Sequence, residues 1–116
     1  MNKPIIDKAL NLKLANHDPD LARDVLHMLC TMLPNDIQTI ETTLKQQDFI
    51  AAKNAVHKLQ GAICYCGVPR LQDAISNLGK SLHQKEYAKI EEQMKILKDE
   101  AAHLTAVVLP FVRDIP

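Results

Sequence analysis

From Tyr87 to Phe111 the apolar residues Tyr87, Ile90, Met94, Leu97, Ala101, Leu104, Val108 and Phe111 recur at spacings of three and four. Side chains so spaced share one face of an α-helix, so this segment has to lay a narrow apolar stripe against something else. A strand would need alternation in twos, which the segment lacks. Pro110 is expected to mark a frayed end. The chain holds 3 glycines and 3% aromatic residues, and Ala, Leu, Lys, Gln and Glu are abundant, so the partners of the stripe are expected to be helices too.

The rest of the chain supplies those partners. Asp18-Pro19 is a helix start, because the Asp18 carboxylate caps free amides and Pro19 suits the first helical position. Leu21, Val25, Met28 and Met32 form one apolar set, and Ile37, Ile40 and Leu44 a second. Pro34 falls between the sets and predicts one kinked helix or two in tandem. On this reading Met28, Met32 and Met94 fill the core. A short amphipathic segment, Ile5 to Leu14, is expected to lie across the bundle.

Asp48 caps the next helix, whose apolar positions are Ala52, Val56, Leu59, Ile63 and Cys66, and Gly67 ends it. Pro69 restarts the chain in a helix that buries Leu71, Ala74, Ile75, Leu78 and Leu82. Connections around Gln46, Gly67 and Gln84 are short, so neighbouring helices run antiparallel. The expected fold is all-α: an antiparallel up-down-up-down four-helix bundle with a short extra N-terminal helix. It forms a single domain over 1–116, with its core bundle at about 19–112.

Charge narrows the partner class. Lys+Arg number 14 and Asp+Glu 14, with no basic run, so the sequence carries no electrostatic footprint for nucleic acid or anionic lipid. Met1-Asn2-Lys3-Pro4 lacks the apolar stretch of a secretory signal, and no apolar run is long enough to span a bilayer. The chain is therefore expected to be cytoplasmic, with no direct membrane insertion. The 3 cysteines are an odd number, and Cys64 and Cys66 point in different directions on a helix, so they read as structural thiols. His17, His27, His57, His83 and His103 include no ligand-type pair on a shared inward face, so no metal site is expected, and His83 and His103 read as solvated.

One residue breaks the regularity. Gly61 sits in mid-helix, where it costs about 1 kcal/mol relative to alanine. At 100° per residue, His57 points about 140° away from the core direction and Gly61 almost directly away from it. The two are four apart and therefore neighbours on one exposed face, with Lys53 and Gln60 flanking the same strip. The result is a solvent-facing imidazole beside a notch where no side chain projects.

The segment His57-Lys58-Leu59-Gln60-Gly61, followed by Gly67, resembles the signature of the histidine-phosphotransfer (HPt) domain family. That pattern has a His, a Leu or similar residue two later, commonly a Lys three later, a Gly four later and a Gly ten later. The likeness runs from Pro19-Asp20-Leu21-Ala22-Arg23-Asp24 through Gly67-Val68-Pro69-Arg70. It is closest in kind to the HPt domain at the C-terminus of tripartite hybrid sensor kinases of the BarA type.

The resemblance implies a phosphorelay intermediate of two-component signal transduction. His57 would accept a phosphoryl group from a receiver-domain aspartate and pass it to the aspartate of a response regulator. Its implied partners are thus the receiver domains of a hybrid sensor kinase and a response regulator. The receiver would supply Mg²⁺ and the acidic pocket, this chain binding no cofactor of its own. It would act as a monomer, free-standing or as the cytoplasmic tail of an inner-membrane sensor kinase. The chemistry suits the residue, because a neutral ring nitrogen attacks near pH 7 without a separate base. Positioning and electrostatics dominate such transfers, so Lys53 and Lys58 are expected to steady the phosphoryl oxygens, Gln60 to donate a hydrogen bond and Gly61 to give access.

Two positions depart from the family pattern. The usual Lys three after the histidine is Gln60, which removes a positive charge. The ring-orienting glutamine that several members place twenty-two residues after the histidine is Gly79, leaving Asn77 or Lys80 as substitutes. These departures are the best support for an alternative, a non-catalytic adaptor that docks receiver domains without phosphotransfer. No glycine-rich phosphate loop is present, so the chain is not expected to phosphorylate itself from ATP.

Helical geometry ranks the cations. Lys53 is rotated about 40° from His57 and Lys58 about 100°. Lys53→Ala is therefore expected to slow phosphoryl transfer more than Lys58→Ala, with Gln60→Lys recovering part of the loss. Transfer rates from one phosphorylated receiver check this, and a larger defect in Lys58→Ala would show that docking or side-chain reach outweighs helical facing.

Overall fold

The first three helices each begin at an aspartate whose side chain takes up free amides. In the computed structural model, which describes residues 3–113 and the side chains of 3–109, Asp7 accepts from Leu10 N ahead of α1 (Lys8–Leu14). Asp18 accepts from Asp20 N and Leu21 N ahead of α2 (Pro19–Lys45), and Asp48 from Ala51 N ahead of α3 (Phe49–Ile63). Proline at the first position starts α4 (Pro69–His83), and a 3-10 turn, Tyr87–Lys89, leads into α5 (Ile90–Arg113). The helix α2 packs on α3 and α5, and α4 packs on the same two, closing a ring of four. The expected bundle with its small N-terminal helix is what forms.

The core lies along the axis of that ring. It takes Ala52, Val56, Leu59 and Ile63 from α3, Leu71, Ala74, Ile75, Leu78 and Leu82 from α4, and Ile90, Met94, Leu97, Ala101, Leu104 and Val108 from α5. Those positions match the sequence reading. The first half of α2 does not. It buries Ala22, Leu26, Leu29, Cys30 and Leu33, while Leu21, Met28 and Met32 are exposed and Val25 is half-buried. Met28 is 61% exposed, so it is no core filler.

Other boundaries shift for local reasons. Pro34 neither splits nor ends α2. Leu33 and Ile37 are buried on either side of it, at about 1.5–3 kcal/mol each, which outweighs the roughly 3 kcal/mol that an interior proline costs. The first helix is shorter than Ile5 to Leu14, while Ile5 and Ile6 still pack on the core. The helix α3 closes at Ile63, ahead of Gly67. Tyr87 precedes α5 and is exposed, stacking on Phe49 with ring centroids 4.4 Å apart. The backbone of α5 continues through Pro110, and Phe111 falls outside the described side chains.

The N-terminal segment is fastened to the α3–α4 turn by polar groups. Buried Asn11 donates from Nδ2 to Ala22 O at 3.2 Å and Cys66 O at 3.0 Å, and Asp7 N donates to Gly67 O at 2.9 Å. Gly67 sits at φ +71°, and a Cβ there would stand 2.7 Å from Asn11 N. Arg70 of α4 grips Glu100 of α5 with Nε at 2.9 Å and a second nitrogen at 2.8 Å. Burial pushes the Glu100 carboxyl up, but hydrogen bonds from His103 and Arg70 outweigh it and hold the group below its ordinary range. His103 is thus bonded to Glu100 at 3.1 Å rather than simply solvated.

Gly67→Ala combines left-handed strain with the Asn11 clash and is expected to destabilise the domain by about 1–3 kcal/mol. A thermal melt against the parent measures it. An unchanged melting temperature would show that the α1 fastening contributes nothing.

Candidate functional site

Burial of one side of α3 turns its other side outward. Val56, Leu59 and Ile63 are 2%, 1% and 0% exposed, and each contributes roughly 1.5–3 kcal/mol. Together they outweigh the cost of about 1 kcal/mol at Gly61, so the helix persists through a glycine that nothing in its own packing demands. His57 and Gly61 both face solvent, and a Cβ added at Gly61 would meet nothing within 4 Å.

Beside His57 an open groove runs between α3 and α4. Lys53, His57 and Gln60 line it from α3, and Ser76, Gly79 and Lys80 from α4. Lys53 and Gln60 are half-buried, His57 and Lys80 exposed. Gln60 spans the groove, its Nε2 donating to Ser76 Oγ at 3.1 Å. Gly79 lies against α3, where an added Cβ would come 3.4 Å from Val56 Cγ1. Asp73 lines the same groove and is paired with Lys3 at 2.8 Å.

Of the residues nominated from sequence, Lys53, His57 and Gln60 come together, and Gly61 stands one helical turn beyond His57. Lys58 is exposed but does not line the groove. Asn77 and Lys80, the two candidates for holding the imidazole, both line the groove, and among the described residues neither is hydrogen-bonded to the His57 ring. Sequence reasoning missed the Gln60–Ser76 bond and the presence of His83 on the groove wall. Counting back from the Gly67 turn puts residues 77 to 80 near the level of His57, so the signal for the α4 wall is present in the sequence.

The cysteines stand apart from this face. Cys30 and Cys66 are buried and Cys64 is exposed. Burial pushes the Cys66 thiol up to about 11 and also raises that of Cys30, so both stay protonated at neutral pH. Among the described residues no three His, Cys, Asp or Glu side chains gather as a metal-binding group. No helix among them is long and apolar enough to cross a membrane.

A family model, the Hpt domain, matches residues 24–107, a stretch containing α3, the groove and His57. The chain belongs to the Hpt domain family. It is 38% identical over 80 residues to the sensor protein GacS of Pseudomonas syringae pv. syringae, covering 69% of this chain and 9% of that protein. To the signal transduction histidine-protein kinase BarA of Escherichia coli K12 it is 31% identical over 96 residues, which is 82% of this chain and 10% of that one. The chain thus spans about a tenth of the length of the curated relatives it matches. A crystal structure of the HPT domain from the Hpt sensor hybrid histidine kinase of Shewanella superposes with a TM-score of 0.81 at 31% identity, covering 96% of both chains. This Hpt domain therefore shares the helical bundle of a solved Hpt domain over nearly its whole length.

Because space at Gly61 serves no contact within the chain, Gly61→Ala is expected to raise stability by something under 1 kcal/mol while slowing delivery of a phosphoryl group to His57. Gly61→Leu is expected to nearly block delivery. Melting temperatures and transfer rates of the two variants test this, and parent-like rates in both would mean the notch gives no access.

Proposed function

We propose that this Hpt domain is a phosphorelay intermediate whose carrier is His57. The observation that carries the reading is an exposed imidazole next to a side-chain-free notch, on a helix whose rotation is fixed by its buried face. In the transfer, the lone pair of one ring nitrogen attacks phosphorus, the bond from phosphorus to the aspartyl oxygen breaks, and the aspartate leaves as carboxylate. The reverse sequence loads the next receiver. No general base is required, since the attacking nitrogen of a neutral ring carries no proton.

The partners on this reading are the receiver domains of a hybrid sensor kinase and of a response regulator. Mg²⁺ belongs to the receiver's side: the carboxylate at this groove, Asp73, is already paired with Lys3. Leu21, Met28 and Met32, which α2 leaves exposed, offer a receiver apolar area on the helix next to α3. The domain acts as a single copy on the cytoplasmic side, on its own or as part of a sensor kinase.

His57→Gln is expected to abolish acceptance of label from a phosphorylated receiver while leaving helical content and melting temperature nearly unchanged, as suits an exposed position. In the parent the label should be acid-labile. Label retained in the variant, or mapped to His27, His83 or His103, would sink the assignment. Receiver binding with no transfer in the parent would instead favour the adaptor.

A further inference from the structure

Gln60 and Gly79, the two departures from the family pattern, form a single packing arrangement. The Gln60 amide reaches from α3 to Ser76 on α4, and its Oε1 lies 3.8 Å from the point where a Cβ on Gly79 would stand. A Cβ at 79 would stand in van der Waals contact with that amide and with Val56. At position 79 α4 therefore offers bare backbone, beside the Gln60 amide that reaches over from α3 to Ser76.

This arrangement leaves a charge deficit. The Gln60 amide is neutral, half-buried and already engaged through one N–H. A phosphoryl group adds about −1.5 to −2 charge near neutral pH and favours cations close by. Lys58 lies outside the groove, so the ammonium groups that line it are Lys53 on the α3 wall and Lys80 on the α4 wall. The Gln60–Ser76 bond and the approach of Val56 to Gly79 mark the antiparallel register of the two helices, in which residues 79 and 80 stand near the level of His57. Gly79 has no side chain to stand between them. Lys80 is exposed and among the described residues has no carboxylate within ion-pair distance, while Asp73 on the same rim is held by Lys3.

We propose that Lys80 holds the phosphoryl group on His57 from the α4 side, closing with Lys53 the charge shell that Gln60 leaves open. The proposal rests on the reading of His57 as the phosphoryl carrier. The Lys80 ammonium pairs with phosphoryl oxygens as the nitrogen–phosphorus bond forms and the aspartyl oxygen–phosphorus bond breaks. It gives and takes no proton.

The test uses a phosphorylated receiver domain and the full chain in four forms: parent, Lys80→Ala, Lys80→Arg and Lys53→Ala. Lys80→Ala should slow single-turnover transfer about five- to tenfold, the size expected for one close exposed charge, and Lys80→Arg should restore most of the rate. A second readout needs no partner. In the phosphorylated domain the phosphorus-31 resonance titrates with pH, and a nearby cation favours the dianion. Removing Lys80 should move that midpoint to higher pH, which a change in receiver docking would not do. If the parent is labelled on His57 but Lys80→Ala matches it in rate and midpoint, Lys80 has no such role and the carrier reading stands. If the parent takes no label on His57, both fall together.

Discussion

Burial of Val56, Leu59 and Ile63 along one side of α3 sets the direction of every residue that bears on His57. A helix advances about 100° per residue, so turning α3 by one position would swing Val56 toward solvent and forfeit roughly 1.5–3 kcal/mol for each large side chain exposed. That constraint sends Lys53 and Gln60 toward α4, Lys58 to the other flank and Gly61 directly outward. On α4, burial of Ile75, Leu78 and Leu82 does the same, bringing Ser76, Gly79 and Lys80 to the shared groove. The geometry of the site follows from two apolar faces, which meet it at Val56 on the floor of the groove.

How well each helix could be read from sequence depended on whether its apolar residues defined a single stripe. In α3, α4 and α5 one face is apolar and the opposite face polar, so periodicity and burial agree. In the first half of α2 two stripes lie side by side: Leu21, Val25, Met28 and Met32, and one residue later Ala22, Leu26, Leu29 and Leu33. Their spacing is identical and their chemistry alike, so period alone has no means of choosing between them. The packing of α3 and α5 against α2 decides it, and the methionines stay outside. Tyr87 failed for a different reason. It keeps the helical spacing, but the turn after His83 delays α5 to Ile90, and the ring finds Phe49 instead.

At the site, His57 and Gly61 were legible because both belong to one helix, where four residues make one turn. Lys53 was legible for the same reason. What Gln60 does was not, since its partner Ser76 lies on another helix and only the register of α3 against α4 brings them together. Taken along the sequence, Gln60 and Gly79 look like two independent losses from a phosphate-binding pattern. Seen in the groove, the two positions are neighbours, the Gln60 amide lying beside the bare backbone of Gly79. Lys80 was nominated from sequence only as a candidate for holding the imidazole, and the groove adds that it is exposed on the α4 wall facing the His57 side.

The 3 glycines separate what the fold needs from what a partner needs. Gly67 is demanded from within, because its backbone is left-handed and Asn11 closes on the space a Cβ would take. Gly79 lies between these cases, since a Cβ there would touch Val56 and Gln60 at ordinary contact distances. Gly61 answers to neither: its surroundings are empty to 4 Å, and alanine would be more stable there by up to about 1 kcal/mol. A glycine that weakens its own helix, at a position where a side chain would touch no other part of the chain, makes physical sense when another molecule uses the space. That space lies one turn from an exposed imidazole, in a chain whose folding is secured elsewhere, by the apolar axis of the bundle and the Asn11 bonds. Substitutions at the exposed positions His57 and Gly61 are therefore expected to change stability little.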